Sequence, residues 1–543
     1  MPGLVEAFER IGAFLEHRLP MMHAAGAAVA VTDREEILGV VVRGLADAAS
    51  GTPVRPETRF EIGSISKSFA GIVAMQEAEA GRLDLHAPVS QILPWLELPQ
   101  PFGPITTHHL LSHTSGLAIG TEDAPTGPGA AWNLRRIPPT FPPGERFFYS
   151  NDGWKLVGMI LERLTGTPIQ ELVRQRVLAP LGMSSSQAEI TNSTRTDLAT
   201  GYETAFDDRP PRIEHPLVPA RWVVSNTADG SIVSNVVDMS AYARMLLGRG
   251  ASTHGGHDVR LISDGGFELL TTPVLADTDQ TGFAYAYGLR VGQTNGRREI
   301  AHSGGMVGYT ALLVVRPDEG IACIMLLNGD GDSRSTVGFA LDVVGAALAG
   351  DTLPEVEHPT APTVVANASE YVGRYRSLDR DIEVTAADDG ILLRDGVLGV
   401  PLERVAADVF LIPHPALDRF VLSFGRDGSG RVVEAFRGNE WFRAEAFAGP
   451  YPDPHPLEWE AFPGLYRANN PLQPTLRVVL RKGALALSWP WTSLEEPLLP
   501  LDDGTFAVGE EWQPQRVRFD GVVEGRASVA EFNAGRWYRS FEA

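Results

Sequence analysis

Gly63-Ser64-Ile65-Ser66-Lys67-Ser68-Phe69-Ala70-Gly71-Ile72-Val73 is the stretch on which the reading of this chain turns. Ile65, Phe69, Ile72 and Val73 fall at the i, i+4, i+7, i+8 spacing of a buried helical stripe, and Gly81 offers a stop. If Ser64 opens that helix, Ser64 and Lys67 lie one turn apart on one face. A serine hydroxyl is a weak nucleophile at neutral pH and needs a neighbouring base. A lysine amine can be that base once desolvation or nearby positive charge lowers its pKa. The helix N-terminus adds its dipole and free N–H groups where an oxyanion would develop. Alone, the four-residue pattern recurs by chance in long chains, and its ordinary meaning is an N-cap serine beside a surface lysine.

Two further elements follow. Tyr149-Ser150-Asn151 stands just before a second apolar stripe, Trp154, Val157, Leu161 and Leu164, which Gly166 ends. A phenol beside a lysine can pass a proton to a leaving group, and an amide can orient both the lysine and a substrate carbonyl. In isolation the segment is equally an ordinary turn. His302-Ser303-Gly304-Gly305 precedes two strand-like runs, Tyr309 to Val315 and Ile321 to Leu327, joined by a hairpin connection. Small residues there let a substrate backbone approach, and the Gly305 N–H can complete an oxyanion hole with that of Ser64. Otherwise the segment is a glycine-rich turn before a strand.

Their order and context together resemble the penicillin-recognising serine hydrolases, in the branch of class C β-lactamases, D-aminopeptidases, D-Ala-D-Ala carboxypeptidases and related esterases. The matching residues are Ser64 and Lys67, Tyr149 and Asn151, and the triplet from His302 to Gly304. Leu110 to Leu117, Pro143-Gly144 and Pro180 to Met183 are also family-like, and the resemblance covers roughly residues 10 to 348. It implies that Ser64 attacks a carbonyl, that Lys67 and Tyr149 shuttle its proton, and that water or another nucleophile releases the acyl group. It also implies orienting roles for Asn151, His302 and Gly304, with the Ser64 and Gly305 N–H groups as the oxyanion hole. Tyr149 is the implied deacylation base.

One residue departs from the familiar pattern. β-Lactamases and carboxypeptidases of this family usually carry lysine where this chain has His302. A histidine at its ordinary pKa of about 6.5 is mostly neutral at pH 7, which disfavours substrates that need a terminal carboxylate bound. Esters, amides, or peptides read from the amine end are favoured instead, unless an arginine from elsewhere supplies the charge.

Beyond residue 368 helical patterning stops. Short alternating runs such as Arg419 to Phe424 and Leu476 to Leu480 recur between turns such as Asp388-Asp389-Gly390 and Asp502-Asp503-Gly504. The pattern looks duplicated. Tyr371 to Arg376 and Phe462 to Arg467 open the two units, Glu440 to Arg443 and Arg536 to Arg539 close them, and Pro450 to Pro454 divides them. The expected fold is α+β: a β-lactamase-like catalytic domain over 1–350, a linker over 351–368, and small antiparallel β-barrels over 369–449 and 455–543. A catalytic domain followed by two barrels resembles bacterial D-aminopeptidase.

Bulk properties bound the partners. The chain has 543 residues, 43% hydrophobic and 21% charged, with a net charge of −22. That balance opposes binding of nucleic acid or anionic membrane by charge alone. The N-terminus reads as a helix with Leu4, Phe8, Ile11 and Leu15 on one face, and neither a signal peptide nor a transmembrane span is expected. Cys323 is the single cysteine, in an apolar run, so no intramolecular disulfide forms and a cytoplasmic setting is expected. His108, His109 and His113 superficially offer metal spacing but lack the glutamate of a H-E-x-x-H motif. No metal or other cofactor is expected. The partner is a small molecule or short peptide, with a homodimer left open. The sequence thus favours a D-aminopeptidase-like hydrolase of short peptides, amides or esters. The alternatives are an esterase, acyl transferase or peptide-cyclising thioesterase and, less favoured, a β-lactamase or a non-catalytic ligand sensor.

Overall fold

The computed structural model describes residues 2–120, 126–278, 280, 282–450, 454–492 and 494–540. Part of the expected divider Pro450 to Pro454, residues 451–453, lies outside them. The chain forms two compact units. One holds the residues up to Glu203 and Leu217–His358; the other holds Thr204–Pro216 and the residues from Pro359 onward.

The first unit is built on an antiparallel sheet with nine strands among the described residues: β1 (His23–Thr32), β2 (Ile37–Asp47), β3 (Thr52–Pro53), β4 (Leu275–Ala276), β5 (Phe283–Tyr285), β6 (Arg290–Thr294), β7 (Arg297–Met306), β8 (Tyr309–Arg316) and β9 (Ile321–Asp330). They run in the order β4-β5-β6-β7-β8-β9-β1-β2-β3, so the N-terminal strands complete the sheet beside the last one. β9 is buried on both faces, which its unbroken apolar run requires. Alternate residues serve different cores. Ala322, Ile324 and Leu326 join one cluster, while Ile321, Cys323, Met325 and Leu327 join another.

The second cluster is covered by α1 (Pro2–Arg18), through Ala7, Ile11 and Leu15, and by the C-terminal helix Ser333–Ala349, through Val337, Leu341 and Val344. The first cluster takes in α2 (Ser66–Glu79), α3 (Asn151–Thr165) and α4 (Val236–Leu247). Helix α2 is buried on nearly every face, so its apolar residues do not form a single stripe. It starts at Ser66 rather than at Ser64, because Gly63–Ile65 make a separate 3₁₀ turn. Gly81 (φ +71°) and Gly166 (φ +68°) stand just past the ends of α2 and α3 in the left-handed conformation that a C-terminal stop uses. No described helix is long and apolar enough to cross a membrane.

Among its described residues the second unit contains two antiparallel β-systems that differ in closure. Eight strands, from Gly464–Arg467 to Gly535–Arg539, close into a barrel. Nine strands, from Gly373–Arg376 to Glu440–Ala444, form a ring left open between Leu398–Pro401 and Glu403–Ala406. Those edge strands are joined through the buried Leu402, whose N–H bonds to the Ile391 carbonyl instead of bridging the gap.

The duplication extends to side chains. Tyr375 Oη donates to the Tyr371 carbonyl at 2.7 Å, and Tyr466 Oη donates to the Phe462 carbonyl at 2.6 Å. The closing signatures are out of step by one residue. Tyr375 pairs with Ala444 and Tyr466 with Arg539, so Phe442, not Trp441, corresponds to the buried Trp537. A one-residue offset in a strand exchanges its faces, which is why the two tryptophans are not equivalent.

Thr204–Pro216, inside the span expected for the catalytic domain, clusters with the barrels. Asp207 pairs with Arg467 at 2.6 Å and Arg209 with Asp418 at 2.9 Å, so this loop touches both β-systems.

Candidate active site

Two glycines let β7 lie against the turn that carries Ser64. A Cβ on Gly63 (φ +51°) would stand 2.7 Å from the Gly305 nitrogen. One on Gly304 would stand 1.9 Å from the Ile62 carbonyl oxygen and 3.1 Å from the Ser64 nitrogen. No side chain fits either place, so the glycines of both motifs are required by one close approach. Along β7 burial alternates: His302 and Gly304 are buried, while Ser303 and Gly305 are exposed.

Ser64 is partly exposed, whereas Lys67 on the first turn of α2 is fully buried. Lys67 Nζ lies 2.9 Å from Ser64 Oγ, 2.9 Å from Asn151 Oδ1 and 2.8 Å from the Asp229 carbonyl oxygen. The Asn151 and Asp229 oxygens can only accept, so they fix two N–H groups. The third direction, at Ser64, holds a proton in the ammonium and a lone pair in the amine. Among the described residues no carboxylate makes a salt bridge to Lys67.

Asn151 is the first residue of α3. Ser150 caps that helix, with Oγ accepting from the Gly153 N–H at 3.0 Å and donating to the Ala118 carbonyl at 2.7 Å. The preceding Tyr149 is half-buried, and its ring lies 5.0 Å from Lys67 Nζ.

Behind this front layer is a buried second layer. His113 stacks on Tyr149 with centroids 4.0 Å apart, and Tyr285 meets His113 edge-on at 4.5 Å. Tyr285 Oη is 2.8 Å from His302 Nε2, while His302 Nδ1 faces the Ser303 carbonyl at 2.5 Å. A carbonyl cannot donate, so Nδ1 carries the proton and Nε2 accepts from Tyr285. Both ring nitrogens of His302 are therefore engaged within the protein. Expected as a substrate-orienting group, His302 turns inward, and Ser303 and Gly305 face outward instead. Burial, then the nearby Arg290 and Lys67, holds its pKa well below the ordinary histidine value. His302 is neutral at pH 7.

Arg290 is the arginine that composition could not place. Its guanidinium lies 5.7 Å from the Tyr149 ring centre and 5.5 Å from that of Tyr285, and it is paired with the buried Asp277. Tyr285, Arg290, Asp277 and the Asp229 carbonyl carried no motif; only strand pairing, Arg290 opposite Ala301, brings the arginine beside His302. His108 and His109, from the run that offered metal spacing, have structural partners. His109 forms a capping box with Thr106, and His108 Nδ1 is 2.6 Å from Tyr287 Oη. No group of three or more His, Cys, Asp or Glu that could hold a metal occurs among the described residues.

A sequence profile of the family described as Beta-lactamase matches residues 13–345. The chain belongs to the beta-lactamase family. As a member, it is a serine hydrolase, and two relatives and a solved structure show how far the likeness extends. Penicillin-binding protein 4 of Amycolatopsis lactamdurans is 27% identical over 370 residues, covering 65% of this chain and 93% of that one. D-aminopeptidase of Brucella ovis is 28% identical over 345 residues, covering 61% of each chain. The octameric penicillin-binding protein homologue from Pyrococcus abyssi is 25% identical with a TM-score of 0.57, over 80% of this beta-lactamase-family chain and 99% of its own.

Proposed function

We propose that Ser64 is the nucleophile of an acyl-enzyme mechanism acting on short D-amino-acid-containing peptides, amides or esters. The observation that carries this is the three-way hold on Lys67 Nζ. With Asn151 and Asp229 fixing two N–H groups, the amine form of Lys67 that takes part in the reaction aims its lone pair at the Ser64 hydroxyl, as a general base must. The amine takes the Ser64 proton as Oγ attacks the substrate carbonyl. Negative charge then grows on the carbonyl oxygen, beside the N–H groups of Ser64 and Gly305 where the strand meets the turn. The proton passes by way of Tyr149 to the leaving amine or alcohol. In deacylation Tyr149 and Lys67 take a proton from the incoming water, and Ser64 regains its hydrogen.

Charge near Ser64 bears on the substrate class. His302 is neutral and turned inward, and Arg290 is already paired with Asp277. Neither offers the uncompensated cation that a substrate carboxylate needs. This supports substrates read from the amine end, as does the similarity to D-aminopeptidase. The same neutrality favours a second reading, an esterase or acyl transferase. The buried Cys323 makes no disulfide, so a reducing compartment suits the chain. A panel of D- and L-alanine p-nitroanilides, amides and methyl esters tests the proposal. Faster turnover of the D-amides is expected; hydrolysis of esters alone would replace it with the esterase reading.

A further inference from the structure

One buried residue, His113, holds Tyr149 and both its neighbours, through its backbone carbonyl and its ring. The His113 carbonyl accepts from the Phe148 N–H at 2.8 Å. Its ring stacks on Tyr149, with centroids 4.0 Å apart and planes 29° apart. Its Nδ1 accepts from the Ser150 N–H at 2.8 Å. We propose that His113 is a positioning residue that sets the Tyr149 hydroxyl for proton transfer at Ser64. This rests on the acyl-enzyme reading of Ser64 and Tyr149.

Three features set His113 apart from a residue that merely fills space. Its backbone is left-handed (φ +57°), a region that side chains other than glycine enter seldom, with Asn, Asp and His the readiest. That conformation belongs to the turn from which both its carbonyl and its ring reach residues 148–150. Next, its Nε2 is buried with no hydrogen-bond partner among the described residues. Because Nδ1 accepts, Nε2 carries the proton, and a buried unpaired N–H is destabilising. A leucine or phenylalanine would fill the volume without that penalty. Finally, the task needs a flat ring and an acceptor in one side chain. Phenylalanine has only the ring and asparagine only the acceptor. Burial, with Lys67, His302 and Arg290 nearby, keeps the ring neutral, so Nδ1 stays free to accept.

The test is a double-mutant cycle on the full chain with p-nitrophenyl acetate as substrate. His113→Phe keeps the stack and loses the acceptor; His113→Asn keeps an acceptor, tolerates the left-handed backbone and loses the stack. Each is expected to lower kcat by about 10- to 100-fold with KM changed less than about threefold. In a Tyr149→Phe background, where the ring remains but the hydroxyl is gone, the same substitutions should change kcat by less than about twofold. Losses that multiply with that of Tyr149→Phe would overturn the positioning role, as would full kcat in both single variants. Melting temperatures identify a variant lost to misfolding, and the other variant then decides. Ser64→Ala runs alongside: undiminished hydrolysis there would sink the underlying site reading, whereas an inactive Ser64→Ala with multiplying His113 losses sinks only the positioning role.

Discussion

In the open β-ring, charge is matched by charge. Arg426 meets Asp408 at 2.8 Å and Glu370 at 2.7 Å, and Arg380 and Arg437 share Asp395 and Glu440. The hydrogen bond from Arg426 holds the Asp408 carboxyl below its ordinary range. Around Ser64 the ionisable groups are arranged differently. Lys67 is buried among neutral acceptors, and two histidines are kept neutral by burial and by neighbouring cations. Matched pairs stabilise one geometry and do little else. A buried amine with its third direction at a hydroxyl can change protonation during a reaction.

The sharpest way to break this contrast is at Ser64. Ser64→Ala is expected to abolish acyl-enzyme formation by intact-mass spectrometry and to lower kcat by at least about 10³-fold. Lys67→Ala should lose about 10³-fold, and Tyr149→Phe about 10²- to 10³-fold, in steady-state hydrolysis with the fold retained by circular dichroism. A Lys67→Ala variant with near-normal kcat would mean that the buried amine is only structural.

Tyr285→Phe probes the second layer. It removes the donor to His302 Nε2 and leaves that nitrogen buried, which should lower stability by about 1–3 kcal/mol in denaturant titrations. The loss in kcat should be smaller than for Tyr149→Phe, since Tyr285 is fully buried behind the front layer.

The pH dependence of stability separates acids from bases in the same unit. Burial raises the Glu61 carboxyl to about 8, so the folded state holds its proton where the unfolded chain has lost it. The stability this contributes is present below the ordinary glutamate value and is lost as pH rises toward 8. His113 and His302 act oppositely: their folded pKa values are depressed, so their contribution is present above about pH 6.5 and is lost as pH falls. Glu61→Gln should therefore flatten the decline of melting temperature between about pH 5 and 8 and leave the acid limb unchanged. An unchanged alkaline limb would contradict a protonated Glu61.

The smallest effect is expected in the β-ring. Arg426→Ala should lower the melting temperature by about 2 °C and change kcat by less than about twofold. A tenfold loss of activity there would erase the distinction between the two regions.

Much of the front of the site was legible. Ser64, Lys67, Tyr149, Asn151 and the glycines stand in short local motifs, and the structure brings Ser64, Lys67 and Asn151 into one hydrogen-bonded set, with the Tyr149 ring beside Lys67. The strand runs ending at Leu327 and the stops at Gly81 and Gly166 were also readable, because backbone conformation and period-two burial are local properties. Less legible were the start of α2, displaced to Ser66 by the tight turn at Gly63, and the one-residue offset between the closing strands of the two β-systems. Both depend on which strand lies next to which. The inward turn of His302 belongs with them, since a strand's register alone decides which of its faces meets the cleft.

Family membership, the order of chemical groups and the change from strand–helix mixture to repeated strands were thus determined by the sequence itself, since each is written in residue type and spacing. Tertiary structure alone decided how those groups act. Antiparallel pairing set Arg290 beside His302, burial made two histidines neutral, and a left-handed turn at His113 reached across to residues 148–150. Contacts between residues far apart in the chain, and the loss of water around them, leave no mark in a local pattern.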